Sequence, residues 1–284
     1  MGGSQSSHDC VVDRIVAQIR AQTDVQPQVA IVCGSGLGGL AKSVEKAITI
    51  PYSSIKDFPQ TTVSGHNGNF IFGQLKSKSI VIMQGRLHQY EGFTHDQMVL
   101  PMRVLKQLGV SIVLLTNAAG GLKEKLNVGD LVVLNDHISL SGLGTGNVLI
   151  GPNNESLGPR FPATTDAYDE ELRKILLSKA KQLGIDDCVH EGVYFHVMGP
   201  TYTTNAECRM MLNMGADVVG MSTVPEVFVA RHCGLRVAAV SLVSDNCNPD
   251  RKDATALTHE EVLKAANQHA TKLEQLCVEF VSVL

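Results

Sequence analysis

One feature limits the fold of this chain more than any other: short, predominantly apolar runs keep ending in glycine-rich or polar turns. Such runs occupy residues 29–33, 80–83, 112–116, 131–134, 193–197, 218–220 and 237–243. A run this short and this apolar suits a strand covered on both faces, because a strand with one wet face alternates apolar and polar residues. Between several of them lie segments with helical spacing, at 96–108, 169–183, 206–214, 225–233 and 260–283. Buried strands alternating with amphipathic helices predict an α/β protein. No linker, charge block or repeat divides the chain, so a single domain over residues 1–284 is expected, with residues 1–9 a polar, disordered tail.

Charge and cysteine usage narrow the function. A net charge of −4 argues against a nucleic-acid partner, since polyanion binders carry a basic surface. No apolar run is long enough to span a bilayer, and the N-terminus lacks the basic start and apolar core of a secretion signal. The seven cysteines are scattered without a CxxC pair, which favours reduced thiols in a cytoplasmic protein over disulfides or a metal site. Three S/T-x-x-E patterns mark helix starts: Thr204 with Glu207, Thr223 with Glu226, and Thr258 with Glu261. In each, the hydroxyl and the carboxylate can satisfy exposed N–H groups of the first turn. The last helix would bury Val262, Ala266, Leu273, Leu276 and Phe280 on one face.

Four of the turns offer anion-binding chemistry. The first run ends in Gly34-Ser35-Gly36-Leu37-Gly38-Gly39, where backbone N–H groups could meet an anion at the start of a helix. Gly34, Gly36 and Gly39 also fit G-x-G-x-x-G, with Asp57 at the distance of a ribose-binding acid, so a dinucleotide-binding oxidoreductase is one reading and a plain tight turn another. Asp57 follows no clear second strand, which weighs against the dinucleotide reading. The second turn carries Arg86 and His88, which point the same way in extended backbone and could clamp an oxyanion; alternatively they are a surface Arg and a core His. The third run continues into Asn117-Ala118-Ala119-Gly120-Gly121, again with backbone donors. The fourth turn sets Ser222 beside a helix start. Four loops able to hold one anion say more than any one of them.

These residues resemble the trimeric purine nucleoside phosphorylases, from about Val29 to the C-terminus. The matching stretches are 34–38, Gly65-His66, 85–92, 117–122, 158–162, 215–229 and 259–262. The resemblance implies an α/β fold with a mixed central sheet flanked by helices, a homotrimer, and inorganic phosphate as co-substrate with no cofactor and no metal. It assigns phosphate to Ser35, His66, Arg86, His88, the Ala118 backbone and Ser222. It assigns the nucleoside to Tyr90, Phe161, Tyr194, Tyr202, Thr203, Met221, Asp245 and His259, with Phe161 reaching into a neighbouring subunit. His88, Tyr90, Asp245 and His259 are the expected catalytic residues.

The chain departs from this family where the base should sit. Members that prefer 6-oxopurines have Glu at the place of Thr203 and Asn at that of Asp245. A carboxylate accepts hydrogen bonds where an amide would donate to the 6-oxo group. A shift of one residue would instead bring Asn246 to the base. The expectation is altered base choice, open to amino-base nucleosides such as adenosine or cytidine. A non-catalytic nucleoside-binding protein is the remaining alternative, disfavoured because every expected phosphate ligand is present.

Overall fold

The computed structural model describes residues 7–250 and 258–284, with side chains from Val11 onward. In chain order the elements are α1 (Ser7–Arg20), β1 (Val29–Cys33), β2 (Glu45–Pro51), β3 (Asn69–Leu75), β4 (Lys78–Gln84), α2 (His95–Gln107), β5 (Ile112–Gly121), β6 (Leu131–Ser139), α3 (Leu140–Leu143), α4 (Glu170–Gln182), β7 (Val189–His196), α5 (Asn205–Asn213), β8 (Val218–Gly220), α6 (Val224–His232), β9 (Arg236–Asn246) and α7 (His259–Val281). All seven apolar runs are strands. The sequence reading missed β2 and β3, whose polar residues break the pattern, and α1. That helix already begins at Ser7, so the expected tail is overturned for residues 7–9; residues 1–6 lie outside the described ones.

The strands form one mixed sheet in the order β2-β3-β4-β1-β5-β8-β7-β6-β9. Because β9 also pairs along the length of β5, strands β5, β8, β7, β6 and β9 close into a ring. Both faces are covered, as the continuous apolar runs require. In β1, Ala30 and Val32 join Ile15 and Ile19 of α1 and Met98, Met102 and Leu105 of α2. Their neighbours Ile31 and Cys33 pack on the other face with Leu176 of α4 and Leu273, Leu276 and Phe280 of α7. The expected apolar face of the last helix is therefore buried as read.

The glycine turn after β1 leads into a short 3-10 helix, Gly38–Ser43, and no α-helix follows. The next strand, β2, lies at the sheet edge antiparallel to β3, where a dinucleotide fold would need a parallel neighbour of β1. Asp57 is ion-paired with Arg14 at 3.1 Å on the surface. These features overturn the dinucleotide reading. The six cysteines with described side chains are free, and no helix among the described residues is long and apolar enough to cross a membrane.

Candidate active site

Strand pairing opens a gap in the sheet, and the gap becomes the site. β1 pairs with β5 only as far as Val32 and Leu115, and β8 takes over the same edge of β5 at Gly120 and Gly121. Between them, residues 116–119 of β5 have no strand partner on that edge; the Thr116 carbonyl accepts from Arg86, and Asn117, Ala118 and Ala119 line a cavity. The expected loop at 117–121 is thus a continuation of the strand. β8 runs antiparallel to β5, so the chain leaving Gly220 heads back towards Asn117 and delivers Ser222 and Thr223 into the gap. Gly34 lies against the same edge: a Cβ there would sit 2.9 Å from the Thr116 carbonyl oxygen and 3.1 Å from Asn117 Cα.

Arg86 lies beneath this gap with 1% of its surface exposed, which removes the surface-Arg alternative. Its Nη1 donates to Ser222 Oγ at 2.8 Å and Thr223 Oγ1 at 3.2 Å. Its Nη2 donates to the carbonyls of Thr116 at 2.6 Å and Val32 at 3.3 Å. Glu226 of α6 stands 3.5 Å from Nε and also accepts the Thr223 N–H at 3.0 Å. Burial pushes the Glu226 carboxyl up, against the pull of Arg86. Thr223 adopts φ of +71°, a strained region for a β-branched residue, and Arg86, Asn117 and Glu226 hold it there. The Thr223–Glu226 pattern was readable as a helix start. Its second role, as counter-charge for the buried Arg86, was not.

His88 follows in extended backbone, buried against Glu91. Its Nδ1 is 3.1 Å from Glu91 Oε1; a carboxylate only accepts, so we assign the proton to Nδ1, which leaves Nε2 as the acceptor. Burial alone would raise Glu91, but hydrogen bonds from His88 and Thr62 outweigh it and bring the carboxyl down to about 2. Burial lowers His88 as well. Tyr90 stacks on the His88 ring, centroids 4.7 Å apart and planes 12° from parallel. His66 packs on the other side and meets Ser35 Oγ at 3.0 Å; burial, then the neighbouring His88, brings it down to about 3.

One cavity gathers Ser35, Arg86, His88, Tyr90, Ala118, Tyr202, Thr203, Met221, Ser222, Asp245 and His259. Three expected residues stand apart. His66 lies beside the cavity, behind Ser35. Tyr194 is fully buried behind its wall, where its hydroxyl accepts the Ser222 N–H at 3.2 Å. Phe161 is 88% exposed and lines a separate depression with Leu143, Ile150 and Phe228. Beside Tyr202 and Thr203, Asp245 faces the cavity, while Asn246 is exposed and its side-chain oxygen accepts the Asn248 N–H at 2.8 Å. Cys247 and Ser244 also line the cavity and were missed, because neither carries a signal apart from its contacts with Asp245.

The chain matches the Phosphorylase superfamily over residues 28–282. It is 49% identical to bovine purine nucleoside phosphorylase, over 93% of this chain and 90% of the relative. A schistosome purine nucleoside phosphorylase in complex with hypoxanthine superposes with a TM-score of 0.92 at 49% identity, covering 96% of both chains. Isoform 2 of the Schistosoma mansoni enzyme, in complex with cytosine and ribose-1-phosphate, superposes with a TM-score of 0.92 at 45% identity and the same 96% coverage of both. With this identity sustained over nearly all of both partners, and the sheet gap, Arg86 and Ser222 in place, the chain belongs to the purine nucleoside phosphorylase family.

Proposed function

We propose that this protein cleaves the N-glycosidic bond of purine ribo- and deoxyribonucleosides with inorganic phosphate, releasing the base and the sugar 1-phosphate, in purine salvage. The observation that carries it is the buried Arg86 guanidinium joined to Ser222 at the open edge of β5. A hydroxyl that accepts from a guanidinium keeps its own proton to donate, so Ser222, the Ala118 backbone and Ser35 can surround one phosphate. Glu226 balances the arginine from behind, away from the anion.

Held in line beneath the sugar, a phosphate oxygen forms the bond to the anomeric carbon as the bond to the base nitrogen breaks. The bond electrons leave with the base, which takes up a proton, and positive charge spreads over the ribose ring in between. Phosphate is nucleophile and counter-charge together, so no further cofactor is invoked. Tyr90 and Met221 serve the sugar face and His259 the 5′-hydroxyl, with Tyr194 supporting Ser222 from behind. His66 fixes Ser35, and Tyr202 flanks the base. The neutral Nε2 of His88 accepts from a phosphate or sugar hydroxyl.

Base choice is broadened towards amino-bases through Asp245 and Thr203. One relative holds hypoxanthine and another cytosine, so this fold accommodates both a 6-oxopurine and an aminopyrimidine. The exposed Phe161, with Leu143 at 84% and Ile150 at 54% exposure, forms an apolar patch suited to a homotrimer in which Phe161 reaches the neighbouring site. A cytoplasmic enzyme fits the free thiols.

The test is phosphate-dependent base release from inosine, guanosine, adenosine and cytidine. Wild type should turn over an amino-base nucleoside, and Thr203→Glu with Asp245→Asn should raise inosine efficiency at its expense, by roughly tenfold or more for each exchanged partner at ~1–3 kcal/mol apiece. Absence of release from all four would overturn the activity. Unchanged preference in the double variant would overturn the base assignment.

A further inference from the structure

Asp245 does not stand alone at the base end of the cavity. Its Oδ1 accepts from Ser244 Oγ at 2.8 Å, and its Oδ2 accepts from the Cys247 thiol at 3.0 Å. Ser244 is 5% exposed and Cys247 half-buried. The two donors flank the carboxylate in sequence and hold one oxygen each. Two of its roughly four acceptor positions are thereby filled, and the rest remain for a ligand.

Two backbone features make room for this arrangement. β5 and β9 pair in step as far as Ala119 and Val243, after which Gly120 faces Asp245 and Ser244 is the extra residue. The bulge turns Ser244 and Asp245 from their regular alternation. Opposite it, a Cβ on Gly120 would lie 2.9 Å from Asp245 Oδ2 and would collide with Cys247 Sγ. Only glycine at that position leaves space for both side chains.

We infer that Ser244, Cys247 and Gly120 form a cradle that fixes the Asp245 carboxylate as acceptor for an amino group on the base. The inference rests on the proposed phosphorolysis and deepens it: selectivity belongs to four residues, with Ser244 and Cys247 as positioning residues. Without the thiol donor the carboxylate can rotate within the bulge, and the amino-base loses its aligned acceptor. A 6-oxo base, which offers Asp245 no exocyclic amine at that position, loses less.

The experiment compares Cys247→Ala, Cys247→Ser and Ser244→Ala with wild type. It reads the ratio of kcat/KM for adenosine to that for inosine, with KM and kcat resolved separately. Cys247→Ala should lower the ratio about fivefold, through adenosine KM, as expected for the loss of one weak thiol donor to the carboxylate. Ser244→Ala should act in the same direction, and Cys247→Ser, which keeps a donor, should return to within about twofold of wild type. A general packing defect would lower both substrates together and would not be rescued by serine. A ratio unchanged within about twofold in Cys247→Ala, or a Cys247→Ser variant that tracks it, overturns the cradle. So does a wild-type enzyme that turns over inosine but not adenosine. Phosphate-dependent turnover of inosine in every variant keeps those failures separate from failure of the phosphorylase reading itself.

Discussion

Arg86 shows how a single residue can be legible in type and illegible in role. Its spacing from His88 marked an oxyanion clamp, yet nothing local indicated that it would be fully buried over Glu226. That burial separates two substitutions. Ser222→Ala removes one donor and should raise the apparent KM for phosphate about tenfold, equivalent to ~1.4 kcal/mol, with little change in stability. Arg86→Ala should lose more phosphate affinity and also stability, on the order of 3–5 kcal/mol, because Glu226 is left buried without its counter-charge. Phosphate saturation curves and urea denaturation check both. Wild-type phosphate dependence in both variants would remove Arg86 and Ser222 from the site.

At the scale of elements, the spacing of β1 and β5 sets the mouth of the proposed phosphate site. Gly34, the first residue past β1, lies against β5, and the atoms a side chain would meet there are backbone: the Thr116 carbonyl at 2.9 Å and Asn117 Cα at 3.1 Å. Backbone cannot rotate away as a side chain can, so Gly34→Ala must push the strands apart. Overpacking of this kind costs about 1–3 kcal/mol, and here it also moves Ser35 and residues 116–119 relative to each other. The variant should have a lower urea midpoint together with weaker phosphate use; loss of neither would show that the gap is not set there. The glycine-rich turn was visible in the sequence. Its partner was not, since Thr116 and Asn117 are more than eighty residues away and only β-sheet pairing brings them together.

The molecule as a whole carries a pH dependence that follows from buried imidazoles. Burial brings His196, 3% exposed between Ser139 and Ser141, down to about 4, and His66 falls to about 3 by burial and then the neighbouring His88. An unfolded histidine titrates near 6.5. Below that value the unfolded chain binds protons that the folded one refuses, so stability is full above about pH 6.5 and is lost as pH falls. The slope is about 1.4 kcal/mol per pH unit for each such group, continuing to its folded value. Urea midpoints between pH 7 and 4.5 should fall accordingly, and His196→Gln should make the slope shallower; a flat profile would contradict neutral buried imidazoles. Light scattering should give three chain masses in solution, and Phe161→Ala should lower activity without moving the urea midpoint much, because an exposed ring contributes little within one chain. A monomer with full activity would remove the neighbouring subunit from the site.

The seven apolar runs determined the fold class by themselves, since a strand without a polar face must be covered on both sides. The capping patterns at Thr204 and Thr258 likewise fixed two helix starts from four residues each. Sequence also singled out Ser35, Arg86 and Ser222 at separate strand ends, and the fold gathers them around one cavity. Tertiary structure alone decided how the sheet closes through β9, where the gap in β5 opens, and that Asp245 lines the cavity while Asn246 is exposed. It also supplied Glu226 beneath Arg86 and Cys247 beside Asp245. Those facts depend on contacts between residues far apart in the chain or on which way a bulged strand turns, and the local pattern of side chains carries neither.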